Sequence, residues 1–206
     1  MIKVLREGIH DRVEDAPSHV IFNPIFSSAI LILTEGIKIL VDPGHIGRFQ
    51  ELVDALSAEG LKPEDIDLVF LTHHHLDHAS SMGSFPNAKI YLENGFVTQK
   101  DSSYTVYRDL SKVELPSTCS VIETPGHTLD SRSLLFEEDG VKYICAGDSV
   151  REDVIRSGEK IAWDDEELFK KSLKMIFGLA EVIIPGHGRV IEGENKDELQ
   201  KFVDKY

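Results

Sequence analysis

Runs of apolar, β-rich residues on either side of a polar turn predict two β-hairpins that lie far apart in the chain. Residues 31–42 and residues 134–148 each contain two β-rich runs separated by a Glu-Gly or Asp-Gly turn, and each segment ends on an aspartate. Such a dipeptide between two alternating runs is typical of a tight hairpin turn. Each half of the chain therefore contains a similar pair of predicted strands.

An amphipathic helix and then a short apolar strand follow each predicted hairpin. Apolar residues recur at helical spacing over residues 47–59 and over residues 164–179, and the strands after them cover residues 68–71 and 182–184. A last helix is predicted to begin near Asn195, because its Asn-x-x-Glu sequence resembles a capping box. Both halves thus predict strands, then a helix, then a strand.

Two similar halves of this kind indicate an α+β protein. Two sheets that pack face to face, with helices on both outer surfaces, form a four-layer αββα sandwich. We expect residues 1–206 to form a single domain built of two similar halves, since this length suits one domain.

Composition narrows the classes of function. The chain has 206 residues, of which 41% are hydrophobic, so it can bury a full core. It carries 22 basic and 36 acidic residues, a formal charge of −14. An acidic surface repels phosphate backbones, so nucleic-acid binding would need a local basic patch. A small molecule is therefore the favoured partner, and the oligomeric state stays open.

Cysteine content and the N-terminal sequence bear on the compartment. The two cysteines, Cys119 and Cys145, form no Cys-x-x-Cys pair, which favours a reducing compartment without a structural disulfide. Cys145 lies in an apolar run and is predicted to be buried. The first residues lack an apolar leader, and no stretch has the length of a membrane span. We expect a cytoplasmic protein without a membrane partner.

A histidine-rich hexapeptide follows the predicted strand at residues 68–71. Its sequence is His73-His74-His75-Leu76-Asp77-His78. Imidazole nitrogens and carboxylate oxygens bind zinc and similar ions, and one ion takes about three or four protein ligands. The loop alone offers more than one ion needs, so either some of these side chains are idle or two ions bind.

Three more residues with metal-binding side chains occur in similar settings downstream. His127, Asp148 and His187 each follow a short apolar strand and have a glycine beside them. Functional groups often gather at strand ends in layered folds, so we expect these loops to converge with the hexapeptide.

The remaining histidines lack this pattern. His74 alternates with His73 and His75, so its side chain is predicted to point away from their site and can still make a supporting hydrogen bond. His10, His19 and His45 show no ligand-like spacing, and we expect them on the surface or in loops.

These motifs together resemble those of a known family. Residues 72–78 are similar to the HxHxDH signature of the metallo-β-lactamase superfamily. Its other four motifs resemble the surroundings of Asp42, His127, Asp148 and His187, in the expected order. The resemblance implies the αββα fold and a metal-dependent hydrolase.

The resemblance also implies two metal sites that share one ligand. The ligands of the first ion would be His73, His75 and His127. The ligands of the second ion would be Asp77, His78 and His187. Asp148 would bridge the ions beside a water or hydroxide, and Asp42 would hold the ligand loops in place. Zinc is the first choice because five of these seven ligands are imidazoles, while iron, manganese or a mixed iron–zinc pair stay open.

The implied chemistry is hydrolysis by a hydroxide held between two ions. Asp77 and Asp148 would orient this nucleophile, and either would pass a proton to the leaving group. An ester, lactone or thioester of a small molecule is the favoured substrate. Resemblance implies that true β-lactamases lack an aspartate at the bridging position, so Asp148 argues against antibiotic hydrolysis.

Two alternatives stay open. Several stretches, including residues 61–69 and 83–86, resemble an animal group described as ribonucleases acting on histone pre-messenger RNA, which suggests an RNA endonuclease. That function would need basic residues at the pocket mouth, and the candidates are Arg132, Arg151, Arg156, Lys160 and Arg189. The other alternative is a non-hydrolytic protein that binds a single iron.

The substrate pocket is expected between the motifs, along residues 93–110 and 150–163. The first segment contains Tyr104 and Tyr107, and the second contains Arg151 and Trp163. Whether these segments carry catalytic groups stays open, and exposed or packing side chains are the favoured explanation for their tyrosines and arginines.

Overall fold

The computed structural model describes residues 1–92, 95–100, 103–107, 115–158 and 164–206. The strands are β1 Ile2–Arg6, β2 Ile9–Ala16, β3 His19–Phe26, β4 Ala29–Thr34, β5 Ile37–Val41, β6 Leu68–Phe70, β7 Lys89–Leu92, β8 Gly95–Lys100, β9 Ser103–Tyr107, β10 Cys119–Glu123, β11 Arg132–Glu138, β12 Val141–Gly147 and β13 Val182–Pro185. The α-helices are α1 Phe49–Ala58, α2 Leu76–Ala79, α3 Glu152–Ser157, α4 Glu166–Leu179 and α5 Gly193–Val203.

Two sheets and one separate hairpin are built from these strands. The larger sheet has the order β1-β4-β5-β6-β7-β8-β9, the smaller sheet has the order β10-β11-β12-β13, and β2 pairs with β3. In β1-β4-β5-β6 the successive pairings are antiparallel, antiparallel and parallel. The smaller sheet has the same sequence of pairings. In each half the parallel pair, β5–β6 or β12–β13, therefore has its two carboxyl ends at the same edge of the sheet.

Three apolar clusters lie between the layers and pack them together. One cluster joins β4, β5, β6 and β7 to β10, β11, β12 and β13, so the two sheets pack face to face. A second cluster packs α1 and α2 on the outer face of the larger sheet. The third packs α3, α4 and α5 on the outer face of the smaller sheet. This arrangement confirms the four-layer αββα sandwich. Successive side chains of a strand point to opposite faces of the sheet, so one strand can contribute residues to two clusters.

The two hairpins predicted from the sequence are present with the same kind of turn. Glu35 and Gly36 have φ angles of 50° and 79°, and Asp139 and Gly140 have φ angles of 52° and 78°. Two consecutive residues with positive φ twist a two-residue turn to match the flanking strands. The Glu-Gly and Asp-Gly signals were therefore correct.

Two helix starts differ from the prediction. Helix α1 begins at Phe49, because residues 46–48 form a short 3-10 turn before it. Helix α5 begins at Gly193, so the predicted capping box at Asn195 is wrong. Asn195 lies inside the first turn, and its Oδ1 accepts a hydrogen bond from Arg156 at 3.0 Å.

The cysteines and the helices bear on the compartment that the sequence suggested. Both cysteines are free thiols in the buried interior, as expected. Within the described residues, no helix combines the length and the apolar character that crossing a bilayer requires. The cytoplasmic location and the single domain of two halves stay predictions.

Candidate metal centre

Five loops at one edge of the sandwich carry the residues that the sequence singled out. They follow β5, β6, β12 and β13, and the fifth connects β10 to β11. The residues that these loops bring together are Asp42, His73, His75, Asp77, His78, His127, Asp148 and His187. All of the predicted metal ligands therefore meet in space.

Seven of these side chains form overlapping groups that can hold metal ions. One group is His73, His75 and His127, and another is Asp77, His78 and His187. A third group, His73, His78 and Asp148, links the first two. Within each group the ligand atoms lie within 4.8 Å of one another. The first two groups are the triads that the family resemblance implied.

Asp148 lies between the two triads with one oxygen facing each. Its Oδ1 is 3.3 Å from His78 Nε2 and 3.4 Å from His187 Nε2. Its Oδ2 is 3.6 Å from His127 Nε2. A carboxylate in this position can contact an ion in either triad.

Distances between ligand atoms fit a tetrahedral ion. Ligands about 2.0–2.1 Å from a zinc ion stand about 3.3–3.4 Å apart at the corners of a tetrahedron. His187 Nε2 lies 3.1 Å from Asp77 Oδ2, and His127 Nε2 lies 3.1 Å from His75 Nδ1. The spacing of the side chains therefore leaves room for metal–ligand bonds.

Several buried polar atoms of this cluster have no hydrogen-bond partner among the described residues. These atoms are His73 Nε2, His78 Nε2, His187 Nε2 and Asp148 Oδ1. An unsatisfied buried polar atom is costly, and cations held by the two triads would satisfy these atoms. The donor set and its missing partners both fit bound metal ions.

Asp42 supports the cluster from behind. Its Oδ1 accepts a hydrogen bond from the Thr72 backbone N–H at 2.8 Å, and its Oδ2 accepts one from Thr72 Oγ1 at 2.7 Å. Oδ2 also lies 2.8 Å from His78 Nδ1. A carboxylate here fixes the ring so that His78 Nε2 faces Asp148, which is how such partners orient metal-binding histidines.

Two glycines allow the loops to approach so closely. A Cβ on Gly186 would overlap Asp148 Oδ1 and His78 Cε1. Gly147 has a φ of 51°, and a Cβ there would overlap the Thr72 side chain. Packing therefore requires the glycines beside Asp148 and His187, and at Gly147 the backbone conformation requires one as well.

Burial and neighbouring charges shift the pKa values of the histidines in opposite directions. Burial lowers the pKa of His127 to about 4, and burial together with His78 lowers the pKa of His73 well below its ordinary value. At His78 burial also disfavours the charge, but Asp148 and Asp42 outweigh it and raise the pKa well above the usual range. Burial opposes ionisation of Asp148 too, yet the surrounding histidines lower its pKa. The cluster thus contains neutral imidazoles beside an ion pair.

Three of the four remaining histidines lie where the sequence suggested. His74 is 72% exposed and lies 2.8 Å from Asp130 Oδ2, so it points away and makes a supporting contact. His19 is exposed beside Glu14, and His45 accepts a hydrogen bond from the Gly47 N–H.

The expectation for His10 is wrong. Its ring lies 5.1 Å from the His187 ring and lines the cavity over the cluster. Strands β2 and β3 carry it there, and their role was missed because this hairpin has no histidine-rich motif. Residues 9–16 show no alternation of apolar and polar positions, so no local signal in the sequence pointed to this strand.

A cavity of about 780 Å³ opens over the cluster. The hairpin of β2 and β3 forms one wall with Val20, Phe22 and Ile25. The floor includes residues of both triads, and Arg151 closes the side next to Asp148. This is the size of a small-molecule site.

The predicted pocket segments contribute in part. Arg151 and Asp153 line the cavity, as expected for residues 150–163. Lys160, Trp163 and the side chains of Tyr104 and Tyr107 lie outside the part of the chain whose side chains are described.

Comparisons with known proteins agree with this geometry. Residues 22–93 match the family model described as the metallo-β-lactamase superfamily. A Methanocaldococcus jannaschii protein named a probable metallo-hydrolase is 31% identical, and the match covers 94% of this chain and 90% of that protein. Mouse metallo-β-lactamase domain-containing protein 1 is also 31% identical over 73% of this chain, but the match spans only 59% of the mouse protein.

Solved structures share the fold at low sequence identity. A Thermotoga maritima protein of the metallo-β-lactamase type superposes with a TM-score of 0.67 at 21% identity, covering 93% of this chain and 98% of that one. An N-acyl homoserine lactone hydrolase with its product bound at the catalytic metal centre superposes with a TM-score of 0.62 at 19% identity, covering 90% and 91%.

The chain belongs to the metallo-β-lactamase superfamily, and the Methanocaldococcus jannaschii relative, named a probable metallo-hydrolase, matches nearly its whole length. Its sequence is also similar to the metallo-β-lactamase domain-containing protein 1 group, as the sequence suggested.

Proposed function

We propose that this protein is a metal-dependent hydrolase that cleaves an ester, lactone or thioester bond in a small molecule. The observation that carries the proposal is Asp148, which has one oxygen facing each triad while Oδ1 is buried without a hydrogen-bond partner among the described residues. Such a carboxylate would gain its missing partners from cations held by the two triads.

The two triads would hold two divalent ions, with Asp148 between them. When bound, the ions would supply Lewis acidity and lower the pKa of a nearby water towards neutrality. Zinc is our first choice because five of the seven ligands are imidazoles, and iron, manganese or a mixed iron–zinc pair would fit the same atoms.

Asp77 and Asp148 would act on the nucleophilic water. Their carboxylates lie on the cavity side of the cluster, where they can accept a hydrogen bond from water and orient it towards the substrate. Burial opposes ionisation of Asp77, but His187, whose Nε2 lies 3.1 Å from Asp77 Oδ2, lowers the pKa of Asp77, so the side chain is a carboxylate at neutral pH. A carboxylate in this position can take up the proton of the water and pass it to the leaving group.

Charge around the cavity favours a small molecule over RNA. Arg12 and Arg151 line the cavity, but each is paired with a carboxylate of the same cavity, Asp15 and Asp153. The lining includes no Arg132, Arg156 or Arg189, and Lys160 lies outside the described residues. An apolar wall and arginines that are already paired suit an acyl compound better than a phosphodiester chain.

The single-iron alternative is less well supported. A mononuclear site would leave one triad without its ion, and buried unpartnered nitrogens belong to both triads. The lactone hydrolase of similar fold, with its product at a metal centre, also favours hydrolysis for this chain.

Metal analysis and a substrate panel test the proposal. Protein purified without chelators is analysed for metal content and then assayed, with zinc, iron or manganese restored, on esters, lactones, thioesters and phosphodiesters. Asp148→Asn serves as the inactive control, since it keeps the shape and removes the charge. We expect about two ions per chain and hydrolysis of an acyl substrate.

Other results would point elsewhere. Fewer than one ion per chain in every preparation would refute the metal centre. Cleavage of phosphodiesters alone would favour the nuclease, and one iron without any hydrolysis would favour the non-hydrolytic protein.

A further inference from the structure

The β2–β3 hairpin places a histidine of no assigned role over the metal centre. The His10 ring is partly buried, packs 4.4 Å from the Phe22 ring and stands edge-on to His187 at 5.1 Å. It lines the same cavity as Asp77 and Asp148. The ring therefore borders the proposed reaction site.

Arg151, which is distant in sequence, contacts His10. Arg151 is 4% exposed, and its guanidinium donates hydrogen bonds to the Asp153 carboxylate from Nε at 3.0 Å and from NH2 at 2.6 Å. NH1 is 3.7 Å from Asp148 Oδ2, and NH2 is 3.3 Å from His10 Nδ1. Arg151 thus lies between the bridging carboxylate and the His10 ring, and Asp153 fixes its orientation.

The contact with Arg151 determines which nitrogen of His10 carries hydrogen. A guanidinium has donors and no acceptor, so Nδ1 must accept this bond. A neutral imidazole that accepts at Nδ1 carries its hydrogen on Nε2. Nε2 has no hydrogen bond to another residue in the described part of the chain and is absent from its buried unpartnered atoms. This N–H is therefore open to the cavity.

We propose that His10 is a catalytic residue that donates a hydrogen bond from Nε2–H to the substrate oxygen on which negative charge develops, with Arg151 positioning it. The inference rests on the proposed hydrolase function and adds to it a protein donor beside the metal centre. A preorganised donor aimed at developing charge contributes to the rate mainly through kcat.

A merely structural role for His10 makes different predictions. In that case the ring would only pack against Phe22 and His187, and any aromatic ring would serve. His10→Phe keeps this packing and removes both nitrogens. His10→Gln keeps a side-chain N–H near the position of Nε2 and removes the ring.

Steady-state kinetics and metal content separate these cases. For the acyl substrate found in the panel, we expect His10→Phe to lower kcat about 10²-fold, the loss typical of removing one such donor, with KM little changed. The metal content should equal that of the wild type. His10→Gln should recover at least a tenth of the wild-type kcat.

A spectroscopic arm does not depend on turnover. Imidazole nitrogen–proton correlation spectra of the ¹⁵N-labelled, zinc-loaded protein report the tautomer of each histidine, and His10→Phe assigns the His10 signals. We expect a protonated Nε2 and an unprotonated Nδ1. Adding acetohydroxamate, an anionic metal-binding probe, should shift the Nε2 signal, whereas in Arg151→Met the fixed tautomer should be lost.

Each contrary result overturns the inference. His10→Phe with wild-type kcat, equal loss of metal and activity in both His10 variants, or a His10 signal unmoved while the metal-bound histidines respond would each do so. Absence of hydrolysis in the wild type with acetohydroxamate still shifting His10 would count against the proposed function instead.

Discussion

The two halves of the sandwich place an aspartate at the same point and use it differently. Strands β1-β4-β5-β6 and β10-β11-β12-β13 have the same order and directions, and Asp42 follows β5 as Asp148 follows β12. Asp42 receives hydrogen bonds from Thr72 and contacts His78. Asp148 Oδ1 has no hydrogen-bond partner among the described residues. The surrounding donors, rather than the backbone position, therefore decide which carboxylate is left for a cation.

His78 connects the two aspartates. Its Nδ1 lies 2.8 Å from Asp42 Oδ2, while its Nε2 lies 3.3 Å from Asp148 Oδ1. His78, which follows β6, therefore links Asp42 in one half of the molecule to Asp148 in the other. The matching loop after β13 contributes His187 to the same site.

The largest effect is expected from Asp148→Asn. The amide cannot carry the negative charge shared by two cations, so we expect hydrolysis to fall by about 10³-fold or more, equivalent to several kcal/mol of transition-state stabilisation. Metal content per chain should fall as well. Kinetics and metal analysis of the purified variant measure both effects, and wild-type metal content with wild-type activity would contradict the bridging role.

Asp42→Asn is expected to be the next largest, with a different signature. One of its two oxygens becomes an NH2 group that cannot accept, so a buried donor from Thr72 or His78 loses its partner, at a cost of about 1–3 kcal/mol. Metal affinity should fall about 10–100-fold. Urea unfolding of the metal-free protein should show the loss for Asp42→Asn, whereas the deficit of Asp148→Asn should be larger when metal is present. Equal behaviour of the two variants would end the distinction between the halves.

Gly186→Ala tests the close approach between the halves. The added methyl group would overlap Asp148 Oδ1 and His78 Cε1, so we expect a loss of about 1–3 kcal/mol in unfolding free energy and weaker metal binding. Gly178→Ala is the matched control, because this exposed helical glycine has nothing within 4 Å of an added Cβ. It should stabilise the protein by up to about 1 kcal/mol, and a similar gain for Gly186→Ala would show that the loops can separate freely.

Metal binding should release a proton from His78. In the ion-free site Asp148 and Asp42 outweigh burial and raise the pKa of His78, so its ring is protonated below that raised value. A metal ion needs the neutral ring, so affinity should fall about tenfold per pH unit below the pKa. Zinc titration calorimetry in buffers of different ionisation enthalpy measures the released protons. We expect about one per chain at pH 7 and fewer for Asp42→Asn; no release in the wild type would contradict this account.

Local patterns in the sequence were sufficient for much of the fold and for the composition of the site. The Glu-Gly and Asp-Gly turns, the apolar periodicity of α1 and α4 and the motif at residues 72–78 each depend on neighbours along the chain. The predicted start of α5 at Asn195 was wrong. The Asn195 side chain does not cap the helix but accepts a hydrogen bond from Arg156, which is distant in sequence, and no local pattern shows such a contact.

By itself the sequence determined the two hairpins with Glu-Gly and Asp-Gly turns, the layered fold class and the set of side chains able to bind metal, because hydrophobic periodicity and residue chemistry are local properties. Only the tertiary structure decided that Asp42 is enclosed by donors while Asp148 is left open, and that His10 reaches the cavity beside Arg151. Those outcomes depend on which distant groups share a buried space, where each unpaired polar atom must find a partner from another part of the chain.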